Sequence, residues 1–308
     1  MTMERKKILA LISLVIILTF IGYIIYDTVR SESNPTENLT KRKDTGPADQ
    51  WQISQVVEVQ KGLKAVTVAS DGNIYTGGAS FIVSYGSNLN KLWQIETAGM
   101  ITALAMSGDT LFAASEETIY LISPAGKVIN EWGPYEAKSL FTSLSANKDY
   151  LAVADAANKL VFIIKKDGEV HSMIGHSDEK LLIPSPYFDV YLTGDNMLFM
   201  AHTGKYRIEK WTIDGEFISS FGESGSDPGK FCGCCNPAHF TIIPGGFITA
   251  EKGINRIKIS GSSGEFVEYV SSVNDFIASV PLDVSSADGK IIYGANPADS
   301  KLYVFRRK

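Results

Sequence analysis

Val66-Thr67-Val68-Ala69-Ser70-Asp71-Gly72-Asn73-Ile74-Tyr75 reads as a strand, a tight Asp-Gly turn and a second strand. Apolar and polar residues alternate on either side of a dipeptide that tolerates positive φ angles, the pattern of an antiparallel hairpin. The same shape recurs at residues 104–112, 144–153, 190–199, 240–248 and 284–293. A third apolar strand follows each copy: Phe81-Ile82-Val83-Ser84-Tyr85, Thr118-Ile119-Tyr120-Leu121-Ile122 and Lys159-Leu160-Val161-Phe162-Ile163 in the first three. The later ones are Arg207-Ile208-Glu209-Lys210-Trp211, Arg256-Ile257-Lys258-Ile259 and Lys301-Leu302-Tyr303-Val304-Phe305. Turns such as Lys166-Asp167-Gly168-Glu169 and Ile213-Asp214-Gly215-Glu216 lead into a fourth. The period is irregular, roughly 37–50 residues, which is the length of a propeller blade.

Six copies of a four-stranded unit predict an all-β, six-bladed β-propeller over residues 51–308. The last copy stops after its third strand, and one extra strand, 51–59, precedes the first. The N-terminal strand is therefore expected to supply the outer strand of the last blade and close the ring, removing two exposed sheet ends.

The N-terminus reads differently. Arg5, Lys6 and Lys7 precede an uncharged run from Ile8 to Tyr26, ended by Asp27. About 19 apolar residues suffice to cross a hydrocarbon core as a helix. Positive residues before the span keep the short N-terminus, 1–7, in the cytoplasm and put everything after it outside. The expectation is a single-pass membrane protein with an extracytoplasmic C-terminal domain. A cleaved signal peptide is the competing reading, and Ser31-Glu32-Ser33 is a poor and late cleavage site. Residues 27–50 are polar, carry the basic run Lys41-Arg42-Lys43, and read as a flexible spacer. With a net charge of −5 and no clustered basic face beyond the N-terminus, nucleic-acid binding is excluded.

All three cysteines fall in one stretch, Phe231-Cys232-Gly233-Cys234-Cys235-Asn236-Pro237-Ala238-His239. Thiolates and an imidazole suit Cu, Zn or Fe–S chemistry. The spacing is neither that of a zinc ribbon nor of a haem attachment. Adjacent Cys234 and Cys235 need a strained turn to meet one ion, which Gly233 and Pro237 could supply. A labile disulfide or a purely structural staple are the alternatives.

The repeat resembles the NHL family of propellers, through Asp71-Gly72-Asn73-Ile74-Tyr75 and Asn255-Arg256-Ile257-Lys258-Ile259 followed by Gly264-Glu265-Phe266. A closer resemblance, to a propeller group with no assigned reaction, rests on Gly233-Cys234-Cys235-Asn236-Pro237, His239, Glu251-Lys252-Gly253 and Arg256. Some NHL-like propellers are metal-dependent lyases or lactone hydrolases, so the resemblance implies such an enzyme as one alternative.

Propeller geometry brings loops of two kinds to one face. The expectation is that Cys232, Cys234, Cys235 and His239, with His202, form a metal site there, accompanied by Glu251, Lys252, Asp155, His176 and Asn296. No catalytic base is evident. The favoured reading is a binding module whose Cys/His face holds a metal ion or a protein partner in a membrane redox assembly. A metal-dependent lyase or hydrolase, and a protein-interaction propeller with a structural disulfide, are the rivals.

Overall fold

The computed structural model describes residues 12–22, 50–176, 181–272, 275–277 and 279–308. The chain divides into two units, Met1–Asp44 and Thr45–Lys308.

In the first unit residues 12–22 form a helix whose side chains are all exposed, among them Ile12, Leu14, Ile16, Leu18 and Phe20. This helix is about 16 Å long at about 1.5 Å per residue, roughly half a hydrocarbon core. No described helix is long and apolar enough to cross a membrane. The expected span from Ile8 to Tyr26 is thus not seen as such: its ends, 8–11 and 23–26, lie outside the described residues, as do 1–7 and 27–49 with Lys41-Arg42-Lys43.

The second unit is a ring of six four-stranded antiparallel sheets. The strand β1 (Trp51–Glu58) comes first and is set aside until the end of the chain. Blade one is β2 (Leu63–Val68), β3 (Ile74–Gly78), β4 (Phe81–Tyr85) and β5 (Lys91–Glu96). Blade two is β6 (Ala103–Ser107), β7 (Thr110–Ser115), β8 (Thr118–Ile122) and β9 (Val128–Trp132). Blade three is β10 (Phe141–Ala146), β11 (Tyr150–Asp155), β12 (Leu160–Lys165) and β13 (Val170–Ile174). Blade four is β14 (Val190–Leu192), β15 (Met197–His202), β16 (Arg207–Thr212) and β17 (Phe217–Phe221). Blade five is β18 (His239–Ile243), β19 (Gly246–Ala250), β20 (Ile257–Gly261) and β21 (Phe266–Ser271). Blade six is β22 (Asp283–Ser285), β23 (Ile291–Asn296) and β24 (Lys301–Arg307), completed by β1, which runs antiparallel to β24 from Trp51 opposite Arg307 to Glu58 opposite Lys301.

Middle strands are covered on both faces by neighbouring blades, which is why β12 reads Leu160-Val161-Phe162-Ile163-Ile164 without a polar break. Outer strands such as β9 face water and alternate loosely. Apolar clusters fill the gaps between successive blades, each buried Leu, Ile or Phe worth about 1.5–3 kcal/mol. The gap between blades four and five differs. Its buried apolar residues are Ala201, Ile208, Phe240 and Phe247, against fourteen between blades two and three. Alternation explains the shortfall. In β20 Ile257 and Ile259 face blade six, so Arg256 and Lys258 face blade four, where they are 1% and 0% exposed.

Candidate functional site

Four of the expected face residues stand at the end of a blade's second strand. They are Asp155, His202 and Asn296, joined by Glu251 one residue beyond the end of β19, all buried. Three of them take the backbone N–H of the loop entering their own blade. Leu140 N donates to Asp155 Oδ1 at 3.1 Å, Leu182 N to His202 Nε2 at 2.9 Å, and Cys232 N to Glu251 Oε2 at 3.0 Å. Asn296 accepts from Ala298 N within its own turn at 3.1 Å. These side chains are therefore spread one per blade, each tied to its own loop or turn, and His202, the one of the four expected among the metal ligands, has both ring nitrogens engaged there. His176 is exposed in the loop before blade four.

His202 has both ring nitrogens engaged. Because Nε2 accepts from a backbone N–H, Nδ1 carries the proton and donates to Glu209 at 2.8 Å. Arg207 Nε and Trp211 Nε1 also donate to Glu209, at 2.7 and 3.0 Å. Burial works to raise the Glu209 carboxyl, but His202 and Arg207 outweigh it and hold it at about 2.

The thiol loop is braced by buried charge. Glu251, Arg256 and Lys258 form a cluster closed to solvent: Arg256 Nε lies 2.8 Å and Lys258 Nζ 3.0 Å from Glu251 Oε1. Arg256 Nη1 donates to the Tyr269 hydroxyl at 3.3 Å, and other donors of the two cations reach loop carbonyls. Arg256 Nη2 donates to Lys230 O at 2.6 Å, and Lys258 Nζ to Lys230 O at 2.7 Å and Pro228 O at 3.1 Å. Lys258 also lies over the Phe231 ring, 4.4 Å from its centroid. Asn236, fully buried, clips the loop to the turn after β19: its Nδ2 donates to Lys252 O at 3.0 Å and its Oδ1 accepts from Lys252 N at 2.9 Å, while Nδ2 also meets Cys232 O.

Within this frame Cys232 is half-buried, Cys234 exposed and Cys235 buried, all three as free thiols. Gly233 and Cys235 both adopt left-handed backbone, at φ +77° and +66°. For Cys235 that conformation costs about 1–2 kcal/mol. Burial raises the Cys235 thiol above its ordinary value, the Cys234 thiol adds to the rise, and the Lys252 ammonium opposes it. Ser185 Oγ, buried with no hydrogen-bond partner among the described residues, works in the lowering direction on the Cys235 thiol.

Below the loop lies the mouth of a central channel of about 150 Å³. His239, Asp189 and Asp283 hold equivalent positions there, at the start of the inner strands of three successive blades. His239 Nδ1 is 3.8 Å from Asp189 Oδ2 and 3.6 Å from Asp283 Oδ1. Both carboxylates also bridge blades. Asp189 accepts from Ser143 Oγ and from Phe240 N at 2.7 Å, and Asp283 from Val66 N at 2.8 Å. Burial pushes Asp189 up to about 6, burial and then Asp189 push Asp283 well above the carboxylate range, and burial helped by Lys64 pushes His239 down to about 4.

Lys252 and Tyr187 connect the two regions. Lys252 Nζ lies 4.8 Å from the Tyr187 centroid, and the Tyr187 ring meets His239 edge-on at 6.0 Å. Thiols and imidazole thus belong to one end of the channel but to separate clusters. No group of three or more His, Cys, Asp or Glu side chains among the described residues is arranged to hold a metal ion. Sequence reasoning missed Asp189 and Asp283. Their signal was an aspartate directly before the repeat in copies four and six, where His239 precedes copy five.

No family model matches the sequence, and no match was found among curated proteins. Solved structures share the fold. A virginiamycin B lyase from Staphylococcus aureus, a catalytically inactive histidine-to-alanine variant with quinupristin, superposes with a TM-score of 0.55 at 15% identity, over 84% of this chain and 100% of that one. A streptogramin B lyase gives 0.61 at 12% identity, over 84% and 98%. A chain of the mitotic checkpoint complex gives 0.61 at 10% identity, over 87% and 97%. The likeness is that of a common propeller, on which lyases and assembly proteins are both built.

Proposed function

We propose that the chain is a membrane-tethered, extracytoplasmic propeller of the NHL-like type that works as a binding module through the thiol loop, residues 231–239, in metal or redox chemistry. The observation that carries this is the closed Glu251–Arg256–Lys258 cluster. A buried ionic group does little for stability by itself, since apolar replacements of similar volume are often neutral or better. Here it replaces apolar packing between two blades, and both of its cations donate to the backbone at Lys230, at the entry of the segment that bears every cysteine. The tether is supported by the uncharged run from Ile8 to Tyr26 behind Arg5, Lys6 and Lys7, and by the exposed apolar side chains of residues 12–22.

The test is labelling of intact cells with a membrane-impermeant maleimide after impermeant reduction, together with metal analysis of the purified full chain. Exposed Cys234 is expected to label from outside, and label and bound metal to disappear in the triple Cys→Ser variant. Labelling only after lysis would remove the extracytoplasmic reading; unchanged metal content in that variant would remove the thiol site.

A second reading, a lyase or hydrolase working in the channel, is favoured by His239 standing between Asp189 and Asp283, on a fold shared with streptogramin B lyases. It ranks lower because three of the four carboxylate oxygens already accept hydrogen bonds that join blades. Titration with Mg(II) or Mn(II) separates the two. Binding abolished by Asp283→Asn but untouched by Cys234→Ser favours the channel.

A further inference from the structure

We propose that the mouth of the central channel binds a small zwitterion of the α-amino-acid class, its ammonium held by Asp283 and its carboxylate by backbone N–H groups of blades two and three. The inference goes beyond the thiol-loop reading and does not depend on it. It shares the channel with the second reading above but needs no metal ion.

The wall of the channel carries the first argument. Val66, Leu104, Leu144, Val190, Phe240 and Val284 hold one register position on the six inner strands. At three joints the N–H of that residue donates to a side chain one blade back. Val190 N donates to Ser143 Oγ at 3.1 Å, Phe240 N to Asp189 Oδ2 at 2.7 Å and Val66 N to Asp283 Oδ2 at 2.8 Å. Two residues further along, Leu192 N donates to Ser145 Oγ at 2.8 Å and Val68 N to Ser285 Oγ at 3.2 Å. Each acceptor directly precedes the equivalent residue of its own blade. In blades one and two that position holds alanine: Ala65 before Val66 and Ala103 before Leu104, with Ala105 two residues on. Alanine has no acceptor. By the same register the N–H groups of Leu104, Leu144 and Ala146 therefore face the channel with no side-chain acceptor among the described residues, and Leu104, Leu144 and Ala146 all line the cavity. Backbone donors away from bulk water require an acceptor, and neighbouring N–H groups turned to one cavity suit an anionic oxygen.

The opposite wall supplies the second argument. Asp189, His239 and Asp283 line the same cavity from blades four, five and six. Asp189 is committed: Oδ1 accepts from Ser143 Oγ and from Val190 N at 2.9 Å, and Oδ2 from Phe240 N. Asp283 spends Oδ2 on Val66 N, while its Oδ1 accepts no hydrogen bond among the described residues and stands 3.6 Å from His239 Nδ1. Its side chain is 20% exposed against 10% for Asp189, so Asp283 is the carboxylate that a ligand reaches. A ligand ammonium offsets the burial and the Asp189 charge that now push the Asp283 carboxyl upward, and His239, neutral above about 4, does not repel it.

Size is the third argument. The cavity measures about 150 Å³. At about 10–15 Å³ per water position it has room for roughly ten waters, or a ligand of about five to ten non-hydrogen atoms. A cation and an anion must then sit on a frame of one or two carbons, which is the frame of an α-amino acid.

The experiment is isothermal titration of the full chain in detergent, with EDTA present, against glycine and L-alanine, and against acetate and methylammonium as single-ended probes. Saturable binding of one amino acid per chain is expected, with both single-ended probes at least about tenfold weaker, each lacking one charge-assisted contact. Asp283→Asn keeps an acceptor for Val66 N and is expected to weaken glycine binding by more than about tenfold. Ala103→Ser places at this joint the acceptor that Ser143 supplies at the next, and is expected to weaken glycine binding by about fivefold as the serine takes the Leu144 N–H. Cys234→Ser is expected to bind as the natural chain does, with circular dichroism confirming the fold of each variant. Absence of amino-acid binding overturns the proposal, as does acetate or methylammonium binding as tightly as glycine. Unchanged affinity in Ala103→Ser overturns the N–H subsite, and loss in Cys234→Ser moves the site to the thiol loop. None of these outcomes bears on the metal content of the cysteine variants, so the thiol-loop reading stands or falls separately.

Discussion

Glu251 and Arg256 meet at 2.8 Å with neither side chain reaching solvent, five residues apart across the turn that joins β19 to β20. One partner alone would be an uncompensated buried charge. Glu251→Gln is therefore expected to lower unfolding free energy by about 3–5 kcal/mol. The same change frees the loop backbone, so the buried Cys235 thiol should react faster with a thiol reagent under native conditions. Urea denaturation and thiol-labelling kinetics check the two effects; loss of stability with unchanged labelling would separate the brace from the loop.

Glu209 gives an acid-side signature. Its carboxyl, held at about 2 by His202 and Arg207 against the effect of burial, sits below the ordinary value near 4.5. A depressed acid stabilises the fold above its unfolded pKa, and that contribution is lost as pH falls through about 4.5 toward 2. Two to three units correspond to about 3 kcal/mol. Glu209→Gln should therefore start less stable at pH 7 and lose less on acidification, measured by chemical denaturation from pH 7 to pH 3.

His239 behaves in a different window. Its folded value of about 4 lies below the ordinary 6.5, so the unfolded chain takes up the proton first as pH falls. The stability it confers is present above about 6.5 and is lost between 6.5 and 4. Relative to His239→Gln, the natural chain should gain roughly 3 kcal/mol between pH 4 and 6.5. In NMR its imidazole signals should stay neutral from pH 8 to 5.5; a midpoint near 6.5 contradicts burial at the channel mouth.

Trp51 closes the ring. Its side chain is 1% exposed within the cluster of blades five and six, and the Arg307 guanidinium lies 5.0 Å from its ring while pairing with Glu268 of blade five. Trp51→Ala should cost about 3–5 kcal/mol. A loss below about 1 kcal/mol, read from urea midpoints, would mean that β1 is dispensable for closure.

The propeller was legible because its signals are local. Val66–Tyr75 and its five copies carry period-two alternation around short turns rich in Asp and Gly, and the shape of a hairpin follows from those alone. The thiol loop was equally plain, since the cysteines are adjacent in sequence. What escaped was direction. A polar residue ending a second strand, such as Asp155 or His202, can aim into a shared face or back at its own loop, and only packing decides. The brace was half legible: Arg256 and Lys258 alternate with Ile257 and Ile259, which puts two cations on one face of a strand covered on both sides. Asp189 and Asp283 were hidden because the strands they open are three residues long.

The joint of the ring has a mechanical consequence. In β1 and β24 the first residue of one strand faces the last of the other, Trp51 opposite Arg307, and Lys308 N is bonded to Gln50 O at 2.9 Å. A force drawn between these two ends bears on the terminal hydrogen bond alone and then on each next one in turn, as a zip opens, instead of loading the whole ladder in shear. Five blades continuous in sequence would be undone from this one seam, at a pull far weaker than the thermal stability of the domain suggests.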